Sequence, residues 1–150
     1  MISGSTTADL LLALHLLGVV TWVGGMLFAY IVLRPSLAVL PPPSRIALHR
    51  QVFRRFFLVV WHAMPLVLLS GYAMLFGYLG GFAGAPWNIN VMHLLGLIMA
   101  AIFLAVVFGP WAAMRRGDDE AAPASIERIR QLILANLVLG LIVIVVATLN

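Results

Sequence analysis

Four uninterrupted apolar runs, near residues 9–33, 56–79, 88–110 and 129–149, constrain this chain more than anything else in it. A hydrocarbon core of ~30 Å takes roughly 20 helical residues at ~1.5 Å each, and every run reaches that length. Inside lipid each backbone N–H and C=O must be satisfied within its own segment, so such runs fold as helices. The expectation is an all-α integral membrane protein: one domain over residues 1–150, built as a four-helix antiparallel bundle of transmembrane helices. A composition 63% hydrophobic and 9% charged lies far from that of soluble globular domains. The first run is too long for a signal-peptide core and reads as a retained span.

All nine cationic residues are arginines, and their placement predicts topology. Arg34, Arg45, Arg50, Arg54 and Arg55 flank the first connection, and Arg115, Arg116, Arg128 and Arg130 fill the third. The N-terminal tail, the second connection and the C-terminus have none. The positive-inside rule then puts connections one and three in the cytoplasm and both termini outside. Arginines beside membrane spans meet anionic headgroups, so membrane lipids are expected partners and nucleic acid is not. Pro41-Pro42-Pro43 breaks the chain after span one, with a short cytoplasmic extension of helix two following it. Trp87, with Tyr72, Tyr78 and Asn88, reads as an outer interfacial belt, and Asp118-Asp119-Glu120 as a solvated loop. Ser125 is placed as the N-cap of helix four. Gly18, Gly24, Gly25, Gly71, Gly96 and Gly140 allow close helix approach.

The chemistry-bearing feature is the tetrapeptide His-Leu-Leu-Gly, present twice, at His15–Gly18 and His93–Gly96. A strongly polar side chain in the hydrocarbon region is costly and ordinarily faces a bundle interior. His15 and His93 each follow a boundary residue, Asp9 and Trp87, by six positions, which sets both ~9 Å below the outer surface. Helices one and three of an up-down bundle are diagonal, so two inward imidazoles at one depth face each other.

With no cysteine in the chain, thiolate and iron–sulfur sites are excluded. Two groups suit the pair. Haem b takes two axial imidazoles from His15 and His93, implying electron transfer by a haem-dependent membrane oxidoreductase with an unidentified donor and acceptor. Copper, the alternative, takes His15 and His93 with His62, Met92, Met64 or Met26, and implies transport or resistance. A bare ion wants several converging ligands, and Met92 points ~100° away from its neighbour His93 on a helix, which favours haem. Against haem, no arginine is expected near the outer face to meet its propionates. Trp22, Gly24 and Gly25 are expected to line the pocket, and Asn136 with His62 to form a second polar level nearer the cytoplasm. A structural membrane subunit, with polar residues merely tying helices together, is the remaining alternative. No nucleophile–base pair or carboxylate dyad is present, which argues against a hydrolase. A second copy of the chain is a candidate partner.

The segment His15 to Met26, with Trp22, Gly24 and Gly25, resembles the CopD (copper resistance protein D) family, as do Arg34-Pro35, Arg54-Arg55-Phe56-Phe57, His93 to Gly96, Pro110-Trp111, and Arg130 with Asn136 to Gly140. That resemblance implies a small four-helix protein moving copper across the bacterial inner membrane. The first helix is also similar, more distantly, to HemJ, a family that binds haem b. There His15 matches a haem-associated histidine, and His93 falls close to a functional lysine of helix three.

Overall fold

The computed structural model describes residues 4–117 and 120–149. It contains four helices long and apolar enough to cross a membrane: α1 (Ser5–Val39), α2 (Pro42–Tyr78), α3 (Trp87–Arg115) and α4 (Ala122–Ala147). No strand occurs among the described residues.

The helices run further than the apolar periodicity alone indicates. Span one continues through Arg34 and Pro35 to Val39, and α2 begins at Pro42, so only Leu40 and Pro41 separate them. Proline at the first helical positions is tolerated because its missing N–H has no intrahelical partner there, so the proline run starts a helix as well as ending one. Both odd-numbered helices loosen near their C-terminal ends. α1 is π-helical over Phe28–Leu33, just ahead of Pro35, and α3 over Val107–Trp111, around Pro110. In α3 the backbone leaves helical geometry at Gly109 (φ −96°, ψ −106°), which accommodates the ring that follows.

Helix α4 begins at Ala122, so Ser125 is buried in its first turns, and no side chain caps the helix. This corrects the N-cap assignment: the apolar run starts later than the helix does. Asp118 and Asp119 of the acidic run lie outside the described residues.

Polarity is arranged as a bilayer demands. Leu17, Val20, Leu69 and Phe108 are exposed on the outer surface of the bundle, whereas Ser70, Asn88, Ser125 and Asn136 are buried. α1 packs closely on α2 and also on α4, and α3 packs on α4. The α1–α2 approach is set by Gly18, where a Cβ would stand 2.6 Å from Val67, and by Gly25, where it would stand 2.7 Å from Phe56. Small residues bring backbones together where lipid offers no hydrophobic drive for association. Gly140 of α4 does the same against Val23 and Met99. The inner half of the α2–α3 seam is aromatic, with Phe57 against Phe103 and Trp111, and Trp61 against Phe103 and Phe108.

Candidate metal centre

Helix α1 carries His15 to the C-terminal half of α2. Its Nδ1 lies 2.9 Å from the Val67 carbonyl and 3.1 Å from the Ser70 hydroxyl. A carbonyl can only accept, so Nδ1 bears the proton. The Ser70 hydroxyl donates to the Leu66 carbonyl, which leaves its oxygen free to accept from His15. The proton on Nδ1 makes Nε2 the lone-pair nitrogen.

His93 reaches the same state by a different route. Its Nδ1 donates to the Ile89 carbonyl one turn earlier in α3, at 2.9 Å. Its Nε2 is buried with no hydrogen-bond partner. An unsatisfied buried acceptor costs about 1–3 kcal/mol, which makes this atom a candidate ligand position. Histidines that bind metals hold their second ring nitrogen on a carbonyl or carboxylate, which fixes tautomer and orientation, and both residues have that arrangement.

Gly71 of α2 brings the two rings together. A Cβ at this position would lie 3.2 Å from His15 Cε1, 3.5 Å from His15 Nδ1 and 3.7 Å from His93 Nε2. The imidazoles from two helices thus converge over one bare stretch of a third. Aromatic rings close the site around His93: Tyr72 meets it edge-on at 5.1 Å between centroids, and Phe82 at 5.9 Å. Phe82 belongs to the short helical turn Gly81–Gly84 of the connection between α2 and α3, where its carbonyl accepts from Asn90 Nδ2 at 3.0 Å.

The other expected site residues fall elsewhere. Trp22 is buried in the core, edge-on to Phe103, about two turns below His15. Gly24 faces open space and Gly25 packs on Phe56 of α2, so neither lines the histidine site: at ~1.5 Å per residue they lie well over two turns along α1 from His15. Asn136 is buried and ties α4 to α3 through the Met99 carbonyl, at 3.2 Å. His62 is exposed on the outer face of α2, donating to its own helix at the Leu58 carbonyl. Met26 and Met64 are buried in the core. Met92 is half-buried beside His93. Among the described residues no group of three or more His, Cys, Asp or Glu side chains forms a metal site. Ser70, Gly71, Tyr72 and Phe82 were not legible as site residues, because only the tertiary register of α2 and the outer turn places them there.

The donor set fits a single ion better than a macrocycle. His93 Nε2 is enclosed, and a methyl group at Gly71 would already touch both rings, so a porphyrin between them requires α1 and α3 to part.

A model of the family described as Copper resistance protein D matches residues 50–149, which include His93 and Asn136 and leave His15 and Trp22 outside. The HemJ resemblance is not shown by this match. No curated protein and no solved structure matches the chain.

Proposed function

The chain belongs to the copper resistance protein D family, and from that premise we propose that it handles copper in the membrane by taking one copper ion between His15 and His93. The observation that carries the reading is the buried, unpartnered Nε2 of His93 beside the carbonyl-anchored ring of His15 at Gly71. Imidazole nitrogens suit copper. Among the described residues no carboxylate joins the two rings in a metal-binding group, so the monovalent ion, which costs less to desolvate than a divalent one, is the substrate. The buried thioethers of Met64, Met99 and Met26 lie deeper in the same core and offer soft ligands to an ion moving inward. His62, which faces outward, takes no part.

The roles divide among the chain's own residues. Val67 and Ser70 fix the His15 tautomer, Ile89 fixes that of His93, and Gly71 keeps the approach between them open. Tyr72 and Phe82 exclude water from the outer side.

Haem b is a second reading, favoured by the same two lone-pair nitrogens on diagonal helices, and it requires the enclosure at Gly71 to open. Anaerobic titration of detergent-purified protein with Cu(I) against a chromogenic chelator tests the proposal. Stoichiometric binding that is lost in His15→Ala and His93→Ala supports it, and unchanged binding in both variants removes it.

A further inference from the structure

At the opposite end of the bundle, where α1 turns into α2, a half-open cavity of about 220 Å³ is lined by α1, α2 and α4. Three guanidinium groups line it, from Arg34 of α1, Arg45 of α2 and Arg130 of α4, against one carboxylate, Glu127. That carboxylate is already engaged: it accepts from Arg130 and from Gln131 Nε2. Arg45 is held by donation from one terminal nitrogen to the Leu40 carbonyl at 2.9 Å, and Arg34 lies 5.4 Å over the Tyr30 ring. Both Arg45 Nε and Arg130 Nε are buried without a hydrogen-bond partner. Three cations around one hollow, against a single carboxylate that is already paired, leave an excess of positive charge that suits an anion with several acceptor oxygens.

The geometry points to a binding site for a phosphate group at this cavity, with an anionic phospholipid headgroup as its source. The walls between the arginines are apolar, from Leu33, Leu37 and Ile133, which suits the glycerol and upper acyl carbons attached to such a phosphate. The arginine-rich ends of the spans lie at the headgroup level of a bilayer, where anionic lipid is abundant on the cytoplasmic leaflet. Bound there, the headgroup would clasp α1, α2 and α4 below the copper-binding end. The site stands independently of the histidine pair.

The test is thermal unfolding, followed by tryptophan fluorescence, of delipidated protein in neutral detergent. The probes are dihexanoyl phosphatidylglycerol, dihexanoyl phosphatidylcholine and inorganic phosphate, titrated separately. Saturable stabilisation by phosphatidylglycerol, weakened about tenfold or more in Arg34→Gln and in Arg130→Gln but not in Arg116→Gln, is the expected result. Arg116 is exposed and does not line the cavity. Equal stabilisation by inorganic phosphate at the same concentrations, with the same variant pattern, upholds the phosphate chemistry and overturns the lipid source. No saturable effect from any probe overturns the site. So does an effect that Arg34→Gln and Arg130→Gln leave intact while each variant still unfolds cooperatively.

Discussion

His15 of α1 donates from Nδ1 to the Val67 carbonyl of α2 across 2.9 Å, joining two helices 52 residues apart in sequence. The Val67 carbonyl belongs to a helix and is already served by its own backbone ladder, so the bond is an addition to helix geometry and not a repair of it. It holds a ring whose Cε1 edge lies against Gly71, where His93 Nε2 also lies.

The two histidines therefore differ in what their removal costs. His15→Ala loses an interhelical bond and should destabilise the protein by about 1 kcal/mol. His93→Ala removes an unsatisfied buried acceptor and leaves the Ile89 carbonyl its helical donor, so its stability should change little or rise. Unfolding in sodium dodecyl sulfate, followed by circular dichroism, separates the two.

Gly71→Ala places a methyl group 3.2 Å from His15 and 3.7 Å from His93 Nε2. Copper affinity should fall by about tenfold or more, a displacement cost of at least ~1.4 kcal/mol. Gly24→Ala, with open space around its position, should leave affinity unchanged. Competition titrations with Cu(I) on both variants check this.

Gly18→Ala acts on packing instead. Its Cβ would stand 2.6 Å from Val67 Cγ2, so α1 and α2 must shift apart, at a cost of about 1–3 kcal/mol. Because Val67 also carries the carbonyl that holds His15, a weaker copper affinity should accompany the lower melting temperature.

Much of this arrangement was legible in the residues themselves. The repeated His-Leu-Leu-Gly, six residues after the boundary residues Asp9 and Trp87, predicted a common depth; α1 begins earlier, at Ser5, so Asp9 is not its start, yet both rings lie against Gly71. Helix ends were less legible. The apolar runs end near residues 33 and 110, yet the helices continue past Pro35 and Pro110, with π-helical turns over Phe28–Leu33 and Val107–Trp111. The register of α2 against α1 left no periodic signal: Gly71 looked like any other small residue, and Ser70 like any serine in a span. For the same reason the meeting of Arg34, Arg45 and Arg130, which are scattered over 97 positions of sequence, could not be read without the fold.

The arginine distribution predicts that the turn at Ala83 faces outside and Arg116 the cytoplasm. The chain has no cysteine of its own, so Ala83→Cys and Arg116→Cys can each be introduced singly. A membrane-impermeant maleimide applied to intact cells should label the first and reach the second only after lysis. The opposite pattern would invert the topology.

The central claim is that His15 and His93 together hold a copper ion. The most direct measurement is X-ray absorption at the copper edge, on protein loaded anaerobically with one equivalent of Cu(I), with an optical spectrum and iron content from the as-purified sample. The account predicts a Cu(I) edge with nitrogen scatterers at ~2 Å that disappears in the double variant His15→Ala/His93→Ala, and no Soret band. A Soret band with stoichiometric iron, or copper retained unchanged in the double variant, would contradict it.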